Sequence, residues 1–369
     1  MNNSKRFMSA LFLALFVSFL NLNRAFSEEQ QLRVGVITTL TGGMATIGVA
    51  VRNGVELARK DHPDLFKKVG FSYEDDQFDP KQSIASYRRL KNQDKADVIL
   101  GFGTLLAQAI GPIVEKDQVP LINFNFEAAP VIGKRFTVRS VNHTDQYMGT
   151  LASYLRLKSG ASTTFPIVQT EATFFNAMIG SLKKTLGEKC TLQEVAKVNP
   201  TENDFRTIIA KLKQYGPSQV GIFLWPEQLL SFLKQARELG FSAEYFGTDL
   251  CESAATLTSN EKLVEGCAYP DNDASEDFRS KYLKEYGNES QLTFAASAYD
   301  MTMLVGELVS KDNNLNAQSL LSKMRLVKDR EGVLGKFSFE DSAQYGQFFE
   351  YPVVVKRIEN GRGVAVKTE

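Results

Sequence analysis

The sequence contains few of the residues that usually carry catalysis or metal binding. Its 369 residues include only two histidines, His62 and His143, and three cysteines, and no cysteine–histidine spacing suits zinc. A G-x-S-x-G elbow, a P-loop and a complete dinucleotide fingerprint are all missing. Two S-x-x-K matches, at 181–184 and 231–234, fall in amphipathic helical patterns and are expected by chance. We therefore expect a protein without catalytic activity, cofactor or metal site.

An excess of charge is also absent. The 43 basic and 43 acidic side chains give a net charge of 0. A protein that recognises nucleic acid or an anionic membrane through its bulk charge needs a basic excess, so both partners are disfavoured. This balance still allows a locally charged cleft.

The N-terminus carries the one long apolar run. Two basic residues precede the run at 7–20, which is shorter than the ~20 residues of a membrane-spanning helix. Small residues at Ala25 and Ser27 suit cleavage after Ser27. We predict a signal peptide over 1–27 and a soluble, exported, periplasmic protein, with an N-terminal membrane anchor as the less favoured alternative.

The cysteines are Cys190, Cys251 and Cys267. Disulfides persist in exported proteins. Cys251 and Cys267 flank one short loop-and-helix segment and are the expected pair, which leaves Cys190 over. An odd cysteine also allows intermolecular pairing, and three buried free thiols remain a further possibility.

Strands alternate with helices along most of the chain, which predicts an α/β fold with parallel sheets. A first set of apolar strands ends near residue 124, and a second set of similar size begins after about residue 145. After about 270 the pattern changes to three helices followed by strands at the C-terminal end. Because this tail is too short for a third domain, we expect it to complete the first two. The predicted strands are 32–38, 69–76, 96–102, 119–124, 165–170, 190–195, 218–224, 243–249, 335–340 and 348–358.

The junctions after strands are the expected ligand sites, because ligands of open parallel sheets bind beyond the carboxyl ends of the strands. Thr104 begins a helix after a glycine-containing strand end, where free N–H groups suit an anion. Three further aromatic residues follow strand ends, and for them the sequence favours a ligand pocket and the core equally. They are Phe126, Phe174 and Trp225. Phe124 and Phe223 are predicted core residues. The acidic stretch 73–76 is interpreted as solvated carboxylates, with a metal cluster as the alternative.

Several segments together resemble the leucine/isoleucine/valine-binding proteins of bacterial ABC transporters, which are type I periplasmic binding proteins. The resemblance covers about 32–357 and rests on four motifs. It implies two Rossmann-like lobes with parallel sheets, joined by three hinge crossovers and closing on a ligand. Lobe I would comprise 32–143 and 273–350, and lobe II 144–272 and 351–369. The motifs are "VGVITTLTGGMATIGVAVRNGVELA", "YEDDQFDPKQS", "FRTIIAKLK" and "WPEQLLSFLKQARELGF".

The resemblance also implies a set of ligand-binding residues. Thr104 matches a hydroxyl residue that binds the ligand carboxylate, and Asp249 matches an acid that binds the ammonium group. Asn125 matches a position that offers a backbone carbonyl. Two positions depart from the family pattern, because Glu127 replaces a threonine and Phe174 replaces a tyrosine. Phe126 and Trp225 complete the predicted set.

The charge of Glu127 limits which ligands the predicted site can bind. Its carboxylate would repel an α-carboxylate nearby by about 1 kcal/mol in water and several times more in a dry cleft. One hypothesis is therefore a cationic or amide-bearing, partly aromatic ligand, since ring faces also attract cations. The other keeps an amino-acid ligand, with Glu127 turned outward or paired with a basic side chain.

The expected function is that of an extracytoplasmic solute-binding protein of an ABC importer. It would be monomeric, bind a small amino-acid-like or other polar or aromatic solute, and dock on the permease. A periplasmic sensor module reporting to a membrane receptor or kinase is the alternative. An enzyme is the third and least favoured class, because only carboxylate pairs remain as possible catalytic groups.

Overall fold

The computed structural model describes residues 32–159, 163–188, 190–257, 261–312 and 314–366. The predicted signal peptide lies outside these ranges. Within them, two β-sheets with flanking helices form a two-lobe α/β fold, as predicted. No helix in the described ranges has the length and apolar character needed to cross a bilayer.

The first sheet, in lobe I, has eight strands in the order β11-β12-β13-β5-β4-β3-β1-β2. Strands β1 to β5 and β13 run parallel, and β12 and β11 add antiparallel pairings at one edge. The central strands are nearly continuous apolar runs because helices cover both faces of the sheet. The strands are β1 (Leu32–Thr38), β2 (Val69–Asp75), β3 (Val98–Phe102), β4 (Leu121–Phe124), β5 (Thr137–Arg139), β11 (Arg330–Gly332), β12 (Gly335–Ser342) and β13 (Gly346–Glu350).

Local sequence signals set the helices of this lobe. Asp79 caps the second helix by accepting from the N–H groups of Lys81 and Gln82, and Pro80 takes the first helical position, as predicted. A side chain at Gly54 would collide with the backbone of Ala295, so glycine permits the first helix to pack closely on the helix that carries Ala295. The helices are α1 (Ala45–Asp61), α2 (Pro80–Asn92), α3 (Thr104–Asp117), α9 (Glu276–Tyr286), α10 (Leu292–Lys311) and α11 (Ala317–Met324).

The second sheet, in lobe II, has seven strands in the order β15-β14-β10-β9-β8-β6-β7. It is parallel from β7 to β10, and β14 and β15 pair antiparallel at the edge. The strands are β6 (Thr163–Thr170), β7 (Cys190–Val198), β8 (Gln219–Phe223), β9 (Glu244–Phe246), β10 (Ala268–Asp271), β14 (Val354–Glu359) and β15 (Arg362–Ala365). The helices are α4 (Thr144–Ser159), α5 (Thr173–Leu186), α6 (Arg206–Tyr215), α7 (Pro226–Glu238) and α8 (Leu250–Leu257).

The chain passes between the two sheets three times, after β5, after β10 and after β13. We propose these crossings as the hinge and as the lobe boundaries, with 32–143 and 273–350 in lobe I and 144–272 and 351–369 in lobe II. Phe124 and Phe223 are fully buried at strand ends, which confirms their predicted place in the core.

Two details of the sequence-based prediction are wrong. The run 348–358 is not one strand: it ends β13 in one sheet and begins β14 in the other, with Tyr351 and Pro352 on the crossing. Asp76 is not solvated but 1% exposed. It accepts hydrogen bonds from the hydroxyls of Thr39 and Ser83, at 2.8 and 2.9 Å, and so fastens the loop after β1 to the start of α2.

Candidate functional site

The carboxyl ends of β3 and β4 position the first group of candidate residues. Gly103, at φ +100°, turns the chain from β3 into α3, whose first residue is Thr104. Only glycine adopts this backbone conformation readily. Thr104 is partly exposed at the N-terminus of α3, where free N–H groups favour a negative ligand group.

Asn125 lies in an internal hydrogen-bond chain. The Asn123 amide donates to the carbonyl of Gly103 at 3.2 Å and to Asn125 Oδ1 at 2.7 Å. Asn125 in turn donates from Nδ2 to the backbone carbonyl of Glu127 at 2.8 Å. The Asn125 side chain is thus occupied in joining the two loops. Only its backbone carbonyl is left for the predicted contact with the ligand.

Phe126 and Glu127 follow in the same loop. The Phe126 ring meets Tyr147 of lobe II and Phe294 of lobe I edge-on, with centroids 5.2 and 5.3 Å apart. Glu127 is half-buried, and burial raises the pKa of its carboxyl group. Among the described residues its carboxylate has no hydrogen-bond or ion-pair partner.

Phe174 and Trp225 form an aromatic pair on lobe II. Phe174 lies in the first turn of α5 and Trp225 precedes α7. Their rings stack at 6.2 Å with 16° between the planes, and both are half-buried. Phe175 packs beneath both rings and anchors them to the core of lobe II.

Two adjoining spaces open between the lobes, and we call them together the acidic cleft. Phe126, Asp249 and Asp271 border both spaces. Of the residues predicted from sequence, the structure brings Phe126 and Asp249 together here, whereas Thr104, Glu127, Phe174 and Trp225 are not part of its lining. The remaining walls are Glu252, Ser253, Thr256 and 290–294 on one side and Tyr147, Met148, Met178, Thr248 and Pro270 on the other.

Negative charge dominates the cleft. Asp271 is neutralised by the buried Lys356, with 2.9 Å between Nζ and Oδ2, and accepts from the Thr293 hydroxyl at 2.8 Å. Glu252 accepts from the Tyr269 hydroxyl at 2.5 Å, and burial raises its pKa. Asp249 has no such partner among the described residues. Burial, with Asp271 and Glu252 nearby, raises the pKa of Asp249 to about 7.

The chemistry of this donor set suits an organic cation. Within the described part of the chain, no three His, Cys, Asp or Glu side chains are arranged to hold a metal ion. A protonated amine between the carboxylates and the Phe126 ring would satisfy Asp249 and lower its pKa. Burying that amine would also compensate the unbalanced negative charge of the cleft.

A disulfide supports the lobe II wall. Cys251 in the first turn of α8 and Cys267 just before β10 are bonded, with Cα atoms 6.3 Å apart. The bridge therefore joins the helix that carries Glu252 to the strand that carries Asp271. Cys190 is a buried free cysteine.

Sequence reasoning missed most of the lobe II wall. Glu252, Ser253 and Thr256 lie three, four and seven positions after Asp249, the spacing of one helical face. That spacing could have predicted from the sequence that these residues lie on the same face as Asp249. The lobe I wall at 290–294 had no such signal, because this segment at the start of α10 is distant in sequence from Phe126 and Asp249 and meets them only in the folded protein.

Two α/β lobes joined by three crossings, with a cleft between them, define the type I periplasmic binding protein fold. The chain belongs to the periplasmic binding protein family, whose sequence model matches residues 31–362. This confirms the family inferred from the sequence motifs.

Individual relatives are distant but span nearly the whole chain. The Leu/Ile/Val-binding protein homolog 1 of Brucella melitensis is 23% identical over 358 residues, covering 91% of this chain and 92% of the relative. The LivJ branched-chain amino acid substrate-binding protein of Streptococcus pneumoniae, solved with isoleucine, is similar in structure. Its TM-score is 0.75 at 19% identity, covering 90% of this chain and 98% of that one.

A third neighbour binds an aromatic acid. The solute-binding protein of an ABC transporter from Rhodopseudomonas palustris, solved with 3,4-dihydroxybenzoic acid, gives a TM-score of 0.72 at 20% identity. The match covers 89% of this chain and 93% of that one. The same fold thus accommodates both amino acids and aromatic acids among its relatives.

Proposed function

We propose that this chain is the extracytoplasmic solute-binding protein of an ABC importer. It captures a small amino-acid-like or aromatic solute that carries a protonated amine. The observation that supports this most is the shared cleft, in which Phe126 of lobe I and Asp249 of lobe II border the same space. A solute that touches both residues favours approach of the lobes.

The amine is the feature of the solute that the cleft selects. Asp249 is the one carboxylate of the cleft that has no hydrogen-bond or ion-pair partner on another residue in the described part of the chain. Glu127 adds a second unpaired carboxylate on lobe I and disfavours a solute carboxylate close to it. The relatives solved with isoleucine and 3,4-dihydroxybenzoic acid support a solute of similar size, with an aliphatic or aromatic body.

The mechanism is capture by hinge closure. Asp249 binds the amine from lobe II within the acidic cleft. Thr104 with the α3 N-terminus, and the Phe174–Trp225 pair, lie outside the lining of that cleft and come to contact the solute only as the lobes close. Because the solute makes contacts in the closed state that the open state lacks, binding shifts the population towards closure. The closed form then docks on the permease.

A thermal-shift screen of the mature protein, from residue 28 onward, tests this proposal. The compounds are leucine, valine, putrescine, tryptamine, nicotinamide and benzoate, and hits are confirmed by calorimetry. At a thousandfold excess over Kd a binding solute adds about 4 kcal/mol to stability. We expect shifts with amine-bearing compounds that Asp249→Asn removes and the exposed control Asp277→Asn retains.

Two outcomes would contradict the proposal. A shift with benzoate alone, unaffected by Asp249→Asn, would assign the site to a carboxylate. No shift with any compound would contradict solute capture and favour a sensor that recognises a protein partner.

A further inference from the structure

Arg139, at the end of β5, is a buried charge that the solute site does not use. The residue is 0% exposed. Its Nε donates to the carbonyl of Val141 at 3.1 Å, but Nη1 and Nη2 have no hydrogen-bond partner among the described residues. Arginine stays protonated in proteins, and fully buried arginines are ordinarily paired. This guanidinium therefore needs an explanation.

The side chains around Arg139 supply no counter-charge. Its guanidinium lies 5.1 Å from the centroid of the Phe348 ring, and the His143 ring packs edge-on against the same phenylalanine at 5.4 Å. Burial, with the nearby Arg139 charge, lowers the pKa of His143 to about 4, so the imidazole is neutral near pH 7. Its Nδ1 is also without a partner among the described residues.

The hydroxyl and carboxylate groups of the same region are already occupied. Tyr147 donates its hydroxyl to Asn272 Oδ1 at 2.5 Å, and Tyr345 donates to Asp145 at 2.8 Å. Asp145 also binds Ser181 and Lys184, at 2.6 and 2.9 Å. Its carboxylate is therefore committed to other donors.

Asn123 is opposite Arg139 in the β4–β5 ladder but turns away from it. Its amide nitrogen binds Gly103 and Asn125, on the β3 side, whereas the guanidinium lies over Phe348 on the β13 side. The two free guanidinium nitrogens thus face a region of rings, in which the unpartnered Nδ1 of the neutral His143 ring carries no negative charge.

Water and an anion would both satisfy the two nitrogens, but only an anion balances the charge. An isolated buried ion is costly, and the face of the Phe348 ring compensates only part of that cost. We propose that Arg139 holds a small monovalent anion of the size of chloride at the hinge, in the fork between Nη1 and Nη2. The site would connect the first crossing, which contains Val141 and His143, with β13. Strand β13 in turn leads into the third crossing.

A chloride titration tests the site without reference to the transported solute. Chloride replaces gluconate at constant ionic strength, and Tm is recorded for wild type, Arg139→Met and the exposed-arginine control Arg206→Met. Wild type and control are expected to show a saturable rise in Tm with chloride. Arg139→Met is expected to lose this rise. A wild-type Tm that does not depend on chloride would overturn the proposal.

A second measurement uses only the wild-type protein and decides the case if Arg139→Met does not fold. Crystals grown with sodium bromide in place of chloride are measured at the bromine absorption edge. The expected result is an anomalous peak within about 3.5 Å of Nη1 and Nη2. Density there without an anomalous signal would identify water and overturn the proposal.

Discussion

Asn272 donates a hydrogen bond from Nδ2 to Asn142 Oδ1, at 3.1 Å, and so joins the second crossing between the lobes to the first. Both side chains also reach the third crossing. Asn142 Nδ2 donates to the carbonyl of Tyr351 at 2.8 Å, and Asn272 Nδ2 donates to that of Pro352 at 2.7 Å. Two fully buried asparagines thus hold the three crossings in one arrangement.

Replacing Asn272 by alanine should destabilise the protein strongly. The change leaves the Tyr147 hydroxyl and the Pro352 carbonyl without a partner, at a cost of about 2–3 kcal/mol. Urea unfolding measures the effect. The exposed Asn92→Ala variant is the control and should change the free energy of unfolding by less than about 0.5 kcal/mol. Equal stabilities for the two variants would show that the hinge does not depend on this contact.

The Cys251–Cys267 bridge should contribute to the stability of the protein. It closes a segment with a sequence separation of 16, for which chain entropy predicts about 3 kcal/mol. Unfolding with and without dithiothreitol measures this contribution. Wild type and Cys190→Ala should lose stability on reduction, while the double variant Cys251→Ala/Cys267→Ala should not respond. A reductant-sensitive double variant would contradict the assignment.

Solute binding should strengthen as pH rises through neutrality. Because the pKa of Asp249 in the unliganded protein is raised to about 7, its carboxylate is mostly protonated at lower pH and charged above it. Affinity for an amine-bearing solute should rise about tenfold between about pH 6 and pH 8. Calorimetry on wild type, Asp249→Asn and the exposed control Asp277→Asn checks this. An unchanged pH profile in Asp249→Asn would refute the role of Asp249.

Glu127 should act against solutes that carry a carboxylate. Removing its charge in Glu127→Thr or Glu127→Gln should improve leucine or benzoate affinity about fivefold to tenfold, the effect of relieving a repulsion of order 1 kcal/mol. The exposed Glu276→Gln variant is the control. If carboxylate affinity stays constant or falls in both Glu127 variants, the repulsion argument is wrong and Glu127 faces away from the solute.

The fold was largely predictable because its signals are local. Apolar runs such as Leu32–Thr38 and helix starts such as Asp79-Pro80 specify elements whose order alone indicates parallel sheets. Short edge strands were not predicted, because a strand of three residues such as Arg330–Gly332 is too short to show an alternation of apolar and polar residues. The division of 348–358 between two sheets was missed, since the aromatic first half and the valine-rich second half both suit a strand. Pro352 between them was the signal against one continuous strand.

The site was less predictable because distant segments assemble it. Phe126 follows a strand end and Asp249 matches an acidic position of the family, and the structure places both at the cleft. Lys356, which neutralises Asp271, sits in an ordinary amphipathic strand, and only pairing between β10 and β14 brings the two together. Asp76 similarly looked solvated until the loop after β1 supplied its donors. Burial of a charged residue depends on tertiary contacts that a single sequence does not display.

The most direct test of the account is a crystal structure with the strongest amine-bearing hit of the thermal-shift screen. We expect the solute between the lobes, against the Phe126 ring, with its amine about 3 Å from the Asp249 carboxylate. A solute bound outside the acidic cleft, or one that presents a carboxylate to lobe II while Asp249 points away, would contradict it.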